Sequence, residues 1–126
     1  MSITYTRDDT KRRIRVTSTG PLTLAESIDA LARQVHEGTW TYTSLLDLRR
    51  GMLDSKEDLL ALSLHIEELT RDHGRRGPVA IVVREAASVG RAQSYMRRVK
   101  EETIEVFWDV AEATAWLDAQ PHDAAS

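Results

Sequence analysis

Two apolar spacings alternate along the chain, one of period two and one of helical period. Ile3, Tyr5 and Arg7 begin a short alternating run. A second runs from Arg12 to Thr19, with Ile14 and Val16 on one face and Arg13, Arg15 and Thr17 on the other. The polar stretch Asp8-Asp9-Thr10-Lys11 lies between them, so the pair predicts an antiparallel hairpin with one partly solvated face. Gly20-Pro21 ends the second strand. Leu24, Ile28, Leu31, Ala32 and Val35 then share one helical face behind Thr23 and Glu26, which have capping-box spacing, and Gly38 stops that helix. Thr39-Trp40-Thr41-Tyr42-Thr43 is β-branched and aromatic, and leads into the next strand.

The centre of the chain is Ser44 to Ser55. Leu45, Leu46 and Leu48 suit a strand covered on both faces, Gly51 breaks the run, and Ser55 is placed to cap a second helix. Leu59, Leu62, Ile66 and Leu69 form that helix's main stripe. Leu60 and Leu64 widen it, which predicts a heavily buried helix. His73-Gly74 ends it, and Arg75-Arg76-Gly77-Pro78 reads as a basic turn. Val79 to Val83 is an uninterrupted apolar run, as a central parallel strand requires. Glu85 to Glu101 predicts a third helix, with Val89, Ala92, Met96 and Val99 on one face. Gly90 inside it costs roughly 1 kcal/mol relative to alanine, so close packing is expected there. Ile104 to Trp108 is the last strand. Asp109 and Glu112 have capping-box spacing at the start of a final helix, whose apolar face is Val110, Ala113, Trp116 and Leu117.

The order is β-β-α-β-α-β-α-β-α. It predicts an α/β domain with a mixed, mainly parallel five-stranded sheet and four helices, joined by right-handed crossovers. Residues 1–120 form a single domain by this reading, and residues 121–126 a small polar tail, disordered by composition. Leu46, Leu48, Ala80, Ile81, Val82, Leu62 and Ile66 are the expected core. Arg13 and Arg15 are expected on an edge strand, where they would discourage edge-to-edge pairing.

With 126 residues the chain can bury a core without covalent staples. It has no cysteine, which removes disulfides, thiolate catalysis and Cys-based zinc sites. The 17 basic and 20 acidic residues are interleaved and leave a net charge of −3, which argues against nucleic acid as a partner. No apolar run has the length of a membrane span. Met1-Ser2-Ile3-Thr4-Tyr5 lacks the basic and apolar regions of a signal peptide, and a cytoplasmic location is expected.

Three stretches carry a family resemblance. They are Leu45-Leu46-Asp47-Leu48-Arg49 leading to Asp54-Ser55, then Val79 to Val83, and finally Val106-Phe107-Trp108-Asp109 with Ala113-Thr114-Ala115-Trp116-Leu117. In these and in element order, nearly the whole chain resembles the SpoIIAA-like proteins of the STAS group, which include anti-sigma-factor antagonists. The closing strand and helix are similar to those of bacterial STAS/SEC14-like proteins. The resemblance implies a SpoIIAA-like fold and a non-enzymatic protein-interaction module in bacterial regulation. The antagonists carry an Asp-Ser-Ser-Gly type motif whose serine is phosphorylated by a partner kinase. Here the stretch is Asp54-Ser55-Lys56-Glu57, so the second serine and the glycine are absent and the phosphoserine switch motif is not intact. The SEC14 likeness implies an alternative, a carrier or sensor of a small anionic or lipid-like ligand.

No set of residues for catalysis, metal or cofactor stands out, and the expectation is a protein that is not an enzyme and needs no cofactor. His36, His65, His73 and His122 have no second His or Cys at ligand spacing, and His65 with Glu68 and Asp72 reads as a solvated helix face. A parallel sheet brings strand ends and the following helix starts to one edge, where ligands of open α/β sheets bind. That edge would gather Arg49, Arg50, Asp54 and Ser55 with Arg84, Ser88 and Arg91, a candidate regulatory or anion-binding site. Surface ion pairs with Glu57 and Glu85 are the plainer reading of these arginines. Trp40 and Tyr42 are candidate partner contacts, with core burial the default. A regulatory protein partner and a homodimer both fit, the dimer forming through helices or through Trp40 and Tyr42.

Ser55 reads as a helix cap and not as a phosphosite, because Lys56 and Glu57 replace the rest of the motif. Ser55→Ala should lose about 0.5–2 kcal/mol in urea melts, whereas Ser55→Asp, which keeps a capping oxygen, should match the wild type. Stoichiometric phosphate on Ser55 in protein from its own cells would contradict that reading.

Overall fold

A computed structural model describes residues 3–53, 55–99 and 102–121. β1 (Ile3–Asp8) and β2 (Arg13–Ser18) pair as the antiparallel hairpin, with Tyr5 opposite Val16. β3 (Thr43–Asp47), β4 (Val79–Val82) and β5 (Ile104–Phe107) follow, each parallel to its predecessor. The strand order across the sheet is the order in the chain, β1-β2-β3-β4-β5. Between them run α1 (Leu24–His36), α2 (Lys56–His73) and α3 (Ala86–Arg98), and α4 (Val110–Ala119) closes the sequence. The protein is an α/β fold with a mixed five-stranded sheet and four helices in the expected order.

Sequential strand order means that every crossover steps the same way. Right-handed crossovers then put α1, α2 and α3 on one face of the sheet. Alternation along the strands separates two core layers accordingly. Leu46, Val79, Ile81 and Val83 pack with Ala92 of α3. Leu31, Leu59, Ile66, Tyr95 and Val99 join the three helices above that layer. Leu45, Ala80 and Val82 point the other way and meet Ala113 and Leu117 of α4. β4 is therefore buried on both faces along its whole length, which is why its sequence is apolar without alternation. Three helix starts carry side-chain caps, that of α3 has none, and at α4 only the Asp109 half of the expected capping box forms. Thr23 and Glu26 form both halves of a capping box, the Asp58 N–H donates to Ser55 Oγ at 3.2 Å, and Asp109 accepts from Ala111 and Glu112.

Several expectations are corrected. Leu60 is 40% and Leu64 53% exposed, because α2 contacts the core through Leu59, Ser63 and Ile66 and turns Leu60 and Leu64 away from it. Leu46, Leu48 and Leu62 are half-buried, unlike the buried Ala80, Ile81, Val82 and Ile66; all three line a cavity under α1–α3. The edge strand of the hairpin is β1. Arg13 and Arg15 lie on β2, inside the sheet, facing Thr43 and Leu45 in register. α3 ends at Arg98, and the expected residues Lys100 and Glu101 lie outside the described residues, as do Asp54 and the tail from His122.

Gly90 is exposed and a Cβ there would meet nothing within 4 Å, so no close packing explains it. Gly77 is the reverse case. A Cβ at Gly77 would collide with the carbonyl oxygens of Thr41 and Tyr42, where the chain entering β4 crosses that entering β3. Gly77→Ala should therefore cost about 1–3 kcal/mol or more, whereas Gly90→Ala should stabilise by about 0.5–1 kcal/mol. Urea denaturation of the two variants beside the wild type checks both signs.

Candidate functional site

The carboxyl edge of the sheet is occupied by internal pairing. Asp47, at the end of β3, is buried on the α4 face. Arg49 reaches back and donates from Nε to Asp47 Oδ1 at 2.8 Å and from Nη2 to Oδ2 at 2.8 Å, and Arg15 adds a 3.3 Å contact to Oδ2. The hydrogen bonds from Arg49 hold the Asp47 carboxyl below its usual range, against the opposing effect of burial. Arg49 is thus committed to a structural carboxylate in a bidentate pair.

The other expected residues do not join it. Ser55 Oγ accepts the Asp58 N–H and donates to Glu57 Oε2 at 2.8 Å, so it serves the helix start. Ser88 is buried at the start of α3, where its Oγ accepts from Arg91 Nη2 at 3.2 Å. Arg50 and Arg84 are exposed. None of these residues lines either of the two hollows described next. Trp40 is 5% exposed, with its indole N–H donating to the Gly74 carbonyl at 2.8 Å, and Tyr42 is half-buried.

The opposite, amino edge of the parallel strands holds an arrangement of a different kind. Arg76, two residues before the proline-led entry into β4, is 6% exposed. Its Nη2 donates to Gln34 Oε1 at 2.9 Å, its guanidinium sits 5.4 Å from the Trp40 ring centroid, and its Nη1 lies 4.0 Å from Glu102 Oε2. Gln34 is itself drawn inward from α1 and donates to Ser44 Oγ at 3.4 Å. The Glu102 side chain is 4% exposed, and neither of its oxygens has a hydrogen-bond partner, nor do Arg76 Nε and Thr70 Oγ1. Burial raises the Glu102 carboxyl above its ordinary range, with Arg76 opposing. Burial also raises the Tyr95 hydroxyl, the Glu102 charge adds to that effect, and Arg76 opposes it.

Two hollows meet at this cluster. One is a cavity of about 100 Å³ between the sheet and α1–α3, walled mainly by aliphatic side chains such as Leu31, Leu46, Leu62 and Ile81 and reaching Gln34, Tyr95 and Arg76. The other is a cleft of about 450 Å³ between the carboxyl ends of α2 and α3, lined by Glu67, Thr70, Arg71, Arg75, Arg76, Arg98 and Glu102. Ile66 and Arg76 line both. Sequence reasoning placed Arg76 in a basic turn and passed over Gln34, Tyr95 and Glu102. The available signal was position, since Arg76 and Glu102 each stand just before one of two neighbouring parallel strands. Among the described residues no group of three or more His, Asp or Glu could hold a metal ion, and no helix is long and apolar enough to cross a membrane.

No protein-family model, no curated protein and no solved structure matches the chain.

Glu102 has a readable signature in stability. Its folded-state pKa lies above the unfolded value, so the neutral form is favoured by folding. The stabilisation is complete below the ordinary glutamate range and is lost as pH rises through the raised folded pKa. Glu102→Gln should remove that loss. The stability of the variant relative to wild type should therefore grow as pH rises from about 4 to about 8 in urea melts. A constant difference would mean that Glu102 does not titrate in that window.

Proposed function

We propose that the protein is a non-enzymatic carrier or sensor of a small ligand, whose apolar part enters the cavity under α1–α3. The supporting observation is the cavity itself, about 100 Å³ with aliphatic walls and the guanidinium of Arg76 at one end. A somewhat larger apolar cavity, about 150 Å³, accepts benzene, whereas sites for drug-sized ligands span roughly 300–1,000 Å³. The size favours a group of a few carbons over a whole acyl chain, which narrows the lipid-like alternative to short apolar ligands. A charged group at the mouth has a counter-ion in Arg76.

The STAS-like interaction module in bacterial regulation is the second reading. Leu60 and Leu64 favour it, exposed one turn apart on α2 behind the cap residue Ser55. Exposed leucines at this spacing suit a partner's helix or groove.

Native mass spectrometry of protein purified from its own cells separates the two. A retained small molecule that is released on denaturation, and is lost in a cavity-filling Leu62→Trp variant that still folds, is the expected result. Protein that carries no small molecule, and whose partner is lost on Leu60→Glu with Leu64→Glu, would replace the carrier by the interaction module.

A further inference from the structure

The cleft between the carboxyl ends of α2 and α3 has features that surface charge alone does not require. Helix carboxyl ends attract cations, and Arg71 and Arg98 stand in the last turns of their helices. That effect involves about half a unit of negative charge per helix end, whereas among the described residues four guanidinium groups line this cleft against two carboxylates. Arg71 and Arg98 have no carboxylate partner among the described residues. Arg75 is exposed, and among the described residues its one hydrogen bond is a donation to Thr103 Oγ1 at 3.1 Å. Beneath them lie two charged side chains that are more than nine-tenths buried, Arg76 and Glu102, with Arg76 Nε and both Glu102 oxygens lacking a hydrogen-bond partner among the described residues. A rim of exposed cations over a buried one is an arrangement that suits planar or tetrahedral oxyanions.

We propose that this cleft binds a small oxyanion, a carboxylate or a phosphate group, between Arg71, Arg75 and Arg98 over the buried Arg76, and that binding is coupled to proton uptake at Glu102. Arg76 from the loop and Tyr95 from α3 interact with Glu102, and among the described residues the charged groups that line the cleft with it are Glu67 and Arg71 from α2, Arg75 from the loop and Arg98 from α3. A second anion beside an ionised Glu102 meets like-charge repulsion, which a proton on Glu102 removes. The neutral carboxyl then offers an O–H to the bound oxyanion. The direction of its pKa, raised by burial, makes that proton easier to take up. The cleft stands independently of the cavity reading. Because the two hollows share Arg76 and Ile66, a ligand with both an acid group and a short apolar chain could occupy them together.

Sulfate tests the cleft, since it is a tetrahedral dianion that does not titrate near neutrality, and acetate and butanoate test the carboxylate form and the added chain. Binding is read from amide shifts in a two-dimensional NMR titration. Sulfate or acetate should shift amides around Thr70 to Arg76 and Arg98. Arg75→Gln combined with Arg98→Gln, both at exposed positions, should weaken that binding about tenfold or more, equivalent to about 1.4 kcal/mol. Sulfate affinity should fall as pH rises through the Glu102 titration, and Glu102→Gln should abolish this fall without weakening binding at low pH. Shifts spread over all exposed arginines and insensitive to the double variant would overturn the site. A Glu102→Gln protein with the wild-type pH dependence would overturn the coupling. Butanoate binding no tighter than acetate, with the sulfate result intact, would leave the cleft standing and sink the cavity reading.

Discussion

A guanidinium keeps its charge at every accessible pH, so the burial of Arg76 constrains everything near it. The charge can be held inside only by partners brought to it. Gln34 is turned inward from α1 to accept from it, the Trp40 ring lies against it, and Glu102 faces it from the approach to β5. These residues come from segments far apart in sequence, so the cluster exists only when α1, the β3 approach, the β4 approach and the β5 approach are all in place. Gly77 makes the geometry possible, because the chain carrying Arg76 crosses that of Thr41 and Tyr42 too closely for a side chain. Trp40 is fixed in turn by its bond to the Gly74 carbonyl at the end of α2.

What was legible in the sequence follows from the range of the forces involved. Strand alternation, the apolar run Val79 to Val83, and the caps at Thr23, Ser55 and Asp109 are local patterns, and each marks its element. Element order with the crossover rule then determined the helix faces. Residues whose placement depends on distant parts of the chain were not legible. Arg76 looks like any turn arginine until β3, β4 and α1 are assembled around it. Leu60 and Leu64 look like core because helical spacing defines a face but not its width, and α2 is covered on one side only. Arg13 and Arg15 look like edge residues because alternation says nothing of which hairpin strand pairs onward. The candidate anion site at the carboxyl edge was read from a general rule for open α/β sheets. The rule could not foresee that Asp47 would occupy Arg49 from within.

The two edges of the sheet differ in how their buried carboxylates are matched, although Arg91 Nε, from the expected carboxyl-edge set, is also buried without a hydrogen-bond partner among the described residues. At the carboxyl edge Asp47 has Arg49 and Arg15, and Ser55 has Asp58 and Glu57. At the amino edge the Glu102 carboxylate lies 4.0 Å from the Arg76 guanidinium, with neither oxygen hydrogen-bonded among the described residues. Leaving a buried polar group unmatched costs about 1–3 kcal/mol, more when it is charged. The adjoining cavity of about 100 Å³ adds ~2 kcal/mol at roughly 24 cal/mol per Å³. Both costs fall at one junction, within reach of a single arginine.

That concentration distinguishes the amino edge from ordinary imperfection. A fold of this size has a total stability of about 5–15 kcal/mol, so two local defects of this magnitude are a substantial share of it. Each has a simple apolar remedy. A larger side chain at Leu62 would fill the cavity, and apolar residues at 76 and 102 together would remove both buried charges. The chain instead keeps an acid beside a base and a space beside both. Local rules are broken in this way where a protein has a use for the exception. The exposed arginines converge on the same point from α2, α3 and the loop between α2 and β4. The functional reading accordingly moves from the carboxyl edge, where the buried carboxylate of Asp47 is matched by Arg49 and Arg15, to the amino edge, where that of Glu102 has no hydrogen bond among the described residues.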